Sequence, residues 1–159
     1  MKFIPPQIIG QLLANARRNG QKIVLATGVF DVLHDEHRHF LESAKAEGDL
    51  LLIGLESDAR VKQIKGESRP INDQQARVAN LEAWQITDGV FILPKDFDRL
   101  EQREALIESI QPDVLAVSSH TAHLEEKRRI LAKFGGQLKV VYQHNPAVSS
   151  TKLLNKNET

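Results

Sequence analysis

Lys22-Ile23-Val24-Leu25-Ala26-Thr27-Gly28 is a short apolar run closed by glycine, and Val29-Phe30-Asp31-Val32-Leu33-His34-Asp35-Glu36-His37 follows it directly. The first part reads as a strand buried on both faces, as parallel strands are. The second part turns into a helix. Working outward, the pattern repeats. Apolar runs recur at 49–55, 89–93, 113–117 and 137–141. Between them lie segments with helical spacing, over 36–47, 57–65, 74–84, 97–109 and 123–133. A further helix is expected over 7–19, where Ile8, Ile9, Leu12, Leu13 and Ala16 share a face between Pro5-Pro6 and Asn19-Gly20. Strand and helix alternate throughout. That order predicts an α/β fold with a doubly wound, five-stranded parallel sheet, Rossmann-like in its layering. Ligands of such sheets bind beyond the strands' carboxyl ends, where strand order reverses. The loop after the first strand is therefore the first candidate site.

Composition narrows the function. The 159 residues suffice for one domain with a sizeable core. Residues 1–20 are expected as an N-terminal helical appendage, 21–154 as the main domain, and 155–159 as a frayed polar tail. Lys+Arg and Asp+Glu both number 21, so the formal charge is zero and no broad grip on nucleic acid or anionic membrane is expected. With no cysteine, disulfides, thiolate metal sites and a cysteine nucleophile are excluded. No apolar run approaches the ~20 residues of a membrane span. The start, Met1 to Pro6, lacks a signal-peptide core. A soluble cytoplasmic protein is the expectation.

Within the loop, His34 and His37 sit three apart on one face of a first helical turn. Free backbone N–H groups and the positive dipole end lie there too. Imidazole N–H groups beside them suit a triphosphate whose charge grows in a transition state. Gly28 would let backbone approach the ligand closely. The same two histidines would equally suit a helix cap or a solvated face. Phe30 reads as core packing. Asp31, His34, Asp35, Glu36, His37 and His39 also form a dense polar cluster, and a transition-metal site is an alternative use for it.

These residues resemble the Gly-x-Phe-Asp-x-x-His-x-Gly-His signature of the cytidylyltransferase-like nucleotidyltransferases, matched at Gly28, Phe30, Asp31, His34 and His37. Ser57-Asp58, Lys65-Gly66, Ser68-Arg69-Pro70-Ile71-Asn72 and Arg77 resemble a second block, that of the adenylyltransferase domains making ADP-heptose from heptose 1-phosphate. Val148-Ser149-Ser150-Thr151-Lys152-Leu153 resembles the family's Ile-Ser-Thr-Thr-Lys-Ile motif. The likeness spans roughly residues 20–154. It implies nucleotidyl transfer from a nucleoside triphosphate, ATP more than CTP, to a sugar or polyol phosphate, with Mg²⁺ accompanying the triphosphate. It implies catalytic roles for His34, His37 and Lys65. Thr27, Gly28, Val29, Phe30, Asp31, Arg77, Ser149, Ser150 and Thr151 are implied at the nucleotide, and Asp58, Arg69, Val117 and His120 at the acceptor. Arg would hold phosphate bidentately and Lys as a point charge. Family members are often dimers, so a homodimer is one expected state.

The sequence departs from the family in four places. Glu36 stands where the family has glycine between the histidines. A carboxylate ~4 Å from a phosphate charge would cost about 4 kcal/mol at an effective dielectric near 20. It escapes that cost by pointing outward at the helix N-terminus, or by helping to hold a metal. Val117-Ser118-Ser119-His120-Thr121 replaces Lys-Gly-Gly-Asp-Tyr, His144 replaces an arginine, and Val29 replaces a threonine. Changed substrate-side loops beside a retained histidine pair point to an altered acceptor. The competing reading is a weakened or inactive nucleotide-binding relative.

Overall fold

The computed structural model describes residue 3 and residues 5–143. Its elements run α1 (Gln7–Arg18), β1 (Ile23–Gly28), α2 (Asp35–Lys45), β2 (Leu50–Leu55), α3 (Asp58–Lys65), α4 (Gln74–Ala83), β3 (Gly89–Ile92), α5 (Leu100–Ile110), β4 (Val114–Ser118), α6 (Leu124–Lys133) and β5 (Gln137–Tyr142). The sheet is parallel throughout, in the order β3-β2-β1-β4-β5. The chain builds outward from β1 through β2 to β3, then crosses back to β4. The reversal therefore falls between β1 and β4, beside the loop that follows the first strand.

The period-2 alternation of β1 sorts its side chains onto two cores. Ile23 and Leu25 join Ile9, Leu13, Leu52, Leu106, Ile107 and Ile130 on one face. Val24 and Ala26 join Phe40, Leu41, Leu51, Ile53 and Leu81 on the other. Two covered faces explain why the strands read as continuous apolar runs. Helix α1 places Ile9, Leu13 and Ala16 in the first of these cores, so residues 7–18 pack as part of the sheet's cover. Helix α5 begins at Leu100 rather than at 97, because Pro94 and Phe97 form a turn closed by a 3.2 Å backbone hydrogen bond, with Phe97 buried. Among the described residues no helix is long and apolar enough to cross a membrane.

Candidate active site

A pocket of about 490 Å³ opens at the carboxyl ends of β1 and β4. Thr27, Gly28, Val29, Phe30 and Asp31 form one wall, and Ala116, Val117, Ser118 and His120 another. The first turn of α2 contributes His34, Glu36 and His37, and the end of α3 contributes Lys65. Most of the residues singled out from sequence thus meet in one cavity.

The two histidines are fixed by backbone amides. The Glu36 N–H donates to His34 Nδ1 at 3.2 Å, making His34 the cap of α2. The His34 N–H donates to His37 Nδ1 at 3.3 Å. Each ring accepts at Nδ1, so its proton sits on Nε2. The rings lie with centroids 4.0 Å apart. Burial, with His34 and Lys65 beside it, pushes the His37 imidazole down to about 3, so it is neutral at physiological pH. Capping and ligand donation are thus compatible uses of the pair, because they engage opposite nitrogens. The Lys65 ammonium is lowered by burial and by neighbouring Arg69, with Asp31 pulling the other way.

Asp31, Arg69, Arg77 and Asp58 form two ion pairs beside the pocket. Asp31 is 1% exposed. Its Oδ2 accepts from Arg69 Nε (3.1 Å), Arg69 Nη2 (3.0 Å) and the Ile71 N–H (2.8 Å), and its Oδ1 from the Asn72 N–H (2.9 Å). Burial raises its pKa, but the Ile71 and Asn72 amides and Arg69 outweigh it, so the net shift is downward. Arg69 is expected from sequence at the acceptor; its side chain is 7% exposed and committed to Asp31. Arg77, expected at phosphate, is fully buried. Its guanidinium donates to the carbonyls of Asn72 (3.0 Å), Val29 (3.0 Å) and Glu56 (2.8 Å), and to Asp58 Oδ1 at 2.7 Å. Asp58, expected at sugar hydroxyls, carries that contact and lies outside the pocket wall. The Arg69 and Arg77 guanidinium groups and the Asp58 carboxylate are thus engaged within the protein.

Gly28 lines the pocket and also makes room for a neighbour. A Cβ there would come within 2.8 Å of the Phe30 ring, so glycine makes room for that side chain. Phe30 is buried in a left-handed conformation, φ 49°, against His37 and Phe40. Glu36, in the first turn of α2, is half-buried. Its Oε1 accepts from the Tyr142 hydroxyl at 3.1 Å, which ties α2 to the end of β5. Burial, and then this bond, raise the Tyr142 phenol's pKa. Among the described residues no three His, Asp or Glu side chains converge on a metal position. Ser149, Ser150, Thr151 and His144 lie outside the described residues.

Glu56, Lys127 and Tyr142 line the pocket but carry no local motif. Glu56 was legible only as the residue just past a strand's carboxyl end. Lys127 reads as one more charge on an amphipathic helix.

A parallel sheet reversing at β1/β4, with a histidine pair on the helix that follows β1, defines a nucleotidyltransferase-type α/β domain. The chain belongs to the cytidylyltransferase-like family, which it matches over residues 25–156. It is 46% identical over 99 residues to the bifunctional protein HldE of Wolinella succinogenes, covering 62% of this chain and 20% of that one. It is 34% identical over 144 residues to HldE of Campylobacter fetus subsp. fetus, covering 91% of this chain and 30% of that one. The chain thus spans less than a third of these curated relatives. The lipopolysaccharide core biosynthesis protein of Thermoplasma volcanium superposes with a TM-score of 0.63 at 28% identity, covering 79% of this chain and 98% of that one. Pantothenate synthetase from Thermus thermophilus shares the fold, with a TM-score of 0.62 at 13% identity over 96% of this chain and 67% of that one.

Proposed function

We propose that the protein transfers a nucleoside monophosphate, AMP in preference to CMP, from a nucleoside triphosphate to a sugar or polyol phosphate. An acceptor phosphate oxygen attacks the α-phosphorus in line, the bond to the bridging oxygen breaks, and pyrophosphate leaves with that electron pair. Positioning and charge stabilisation carry such a step. The observation that carries this reading is the pair of backbone N–H bonds to Nδ1 of His34 and His37, which leaves each neutral ring its proton on Nε2. Both present Nε2–H donors at the N-terminus of α2, with Lys65 across the same pocket.

In this mechanism the two imidazoles donate to phosphoryl oxygens as charge builds, and Lys65 adds a point charge. The Ser149-Ser150-Thr151 hydroxyls are assigned to phosphates by the family motif. Val117 and His120 face the acceptor, and Thr27 to Phe30 the nucleotide. Mg²⁺ bound with the triphosphate would neutralise phosphate charge. The described residues build no cage for it, so its ligands would be mainly phosphate oxygens. The leaning to ATP rests on the family resemblance. A cytoplasmic setting and a homodimer are part of the same proposal.

The test is pyrophosphate release with ATP or CTP against a panel of sugar and polyol phosphates. Release should require an acceptor. Removing one donor in His34→Ala should slow it by about 10²–10³-fold. Acceptor-independent release, or full activity in the variant, refutes the mechanism. Glu36 in the pocket wall favours the second reading, a weakened nucleotide binder. Nucleotide binding without release under every acceptor would support it.

A further inference from the structure

Two charged pocket residues, Glu56 and Lys127, have no role in this mechanism. Glu56 follows directly on β2, and Lys127 projects from α6. They reach the pocket from the carboxyl end of β2 and from α6. The Glu56 main chain is clamped: its N–H donates to the Gly28 carbonyl at 2.9 Å, and its carbonyl accepts from Arg77. Its Oε2 is sealed from solvent and has no hydrogen-bond partner among the described residues. Lys127 is half-buried, and its ammonium forms no hydrogen bond or ion pair among the described residues. The two charges sense each other without touching.

We propose that Glu56 and Lys127 form the subsite that holds the hydroxyl-bearing end of the acceptor, and that they select a neutral polyhydroxylated group there. The inference rests on the transferase reading and names the acceptor's distal chemistry. A hydroxyl is both donor and acceptor. It can donate to a carboxylate and accept from an ammonium, bridging two groups that do not reach each other. A cationic head group would satisfy Glu56 but face Lys127. An anionic one would satisfy Lys127 but face Glu56. The phosphate-directed donors, His34, His37 and Lys65, come from α2 and α3, so this pair is available to the remainder of the acceptor. Ser118 and His120, joined by a 2.8 Å Oγ···Nδ1 bond, continue the polar wall at the end of β4.

The local charges agree. Burial raises the Glu56 carboxyl, Arg60, Lys127 and Arg77 pull it down, and Asp98 adds to the rise. Burial and Arg103 lower the Lys127 ammonium, while Glu126 and Glu56 raise it. Burial makes each group costly to keep charged, and a polar ligand beside it would offset that cost.

The test is calorimetric titration of the whole protein with mannose 1-phosphate, glycerol 3-phosphate, phosphocholine and inorganic phosphate. The polyol phosphates should bind about ten- to hundredfold tighter than the other two, as hydrogen bonds to charged groups allow. Glu56→Gln and Lys127→Met should each erase that preference, with ATP affinity unchanged. Circular dichroism of both variants checks folding. Equal binding of phosphocholine, no preference over inorganic phosphate, or a preference that survives both substitutions overturns the proposal. Failure of the transferase reading shows separately, as absent pyrophosphate release while the Glu56-dependent preference persists. Where release is measured, the acceptor KM should rise in Glu56→Gln and the ATP KM should not.

Discussion

Replacing Asp31 by asparagine keeps the side chain's shape and removes its charge. The Asp31 carboxylate accepts four N–H bonds, from Arg69 twice and from the Ile71 and Asn72 amides. An amide offers one carbonyl oxygen. If that oxygen takes the Oδ2 position, its NH₂ group faces the Asn72 N–H, donor against donor. Arg69, only 7% exposed at its side chain, is then left as a buried cation without its counter-charge. Breaking one side of such a pair costs about 3–5 kcal/mol, against a total stability of about 5–15 kcal/mol. Urea denaturation should show the midpoint falling by that amount divided by an unchanged m-value. Adding Arg69→Leu removes the stranded cation. The double variant should recover about 1–3 kcal/mol relative to the sum of the single losses. A loss below about 1 kcal/mol in Asp31→Asn, or strict additivity in the double variant, would refute the view that this pair clamps the loop.

Arg77→Lys should lower the melting temperature by roughly 6–20 °C, about 3–5 kcal/mol, because one ammonium cannot serve three carbonyls and Asp58; calorimetry checks it. His37 titrates near 6.5 when unfolded and about 3 when folded. Below 6.5 the unfolded chain takes up a proton that the native site refuses, so stability is lost as the pH is lowered, by about 1.4 kcal/mol per unit between those values. Urea midpoints in His37→Gln should fall less steeply with acidification, and parallel slopes would contradict the assignment. Glu36→Gly should tighten triphosphate binding by roughly tenfold, and Tyr142→Phe should weaken it by freeing the carboxylate to face phosphate. Equilibrium dialysis with ATP decides, and unchanged binding in both variants would mean that Glu36 lies outside the phosphate field.

The sheet was legible in the sequence because each strand is a contiguous apolar run. Order 3-2-1-4-5 is one of several that a doubly wound sheet can take, and alternation alone does not choose among them. The histidine pair was legible because its partners are two and three residues away. The fates of Arg69 and Arg77 were not. Arg69 meets a carboxylate 38 residues distant, and Arg77 a carbonyl 48 residues distant. Spacing along a chain carries no record of such closures. An arginine in a phosphate-binding motif and an arginine holding a loop look alike until the chain folds. Glu36 shows the same limit, since its partner Tyr142 lies 106 residues away.

The Arg77 guanidinium joins the carbonyls of Val29, Glu56 and Asn72, one from each of three separate loops. Those loops follow β1, β2 and α3, and none of them can rearrange without breaking a bond to the same ion. Their conformational entropy is therefore surrendered when the chain folds, before any ligand arrives. A ligand entering the pocket meets a preorganised frame and is spared the ordering cost of these segments. One fully buried side chain thus sets how much of a ligand's binding energy is left after the site is ordered.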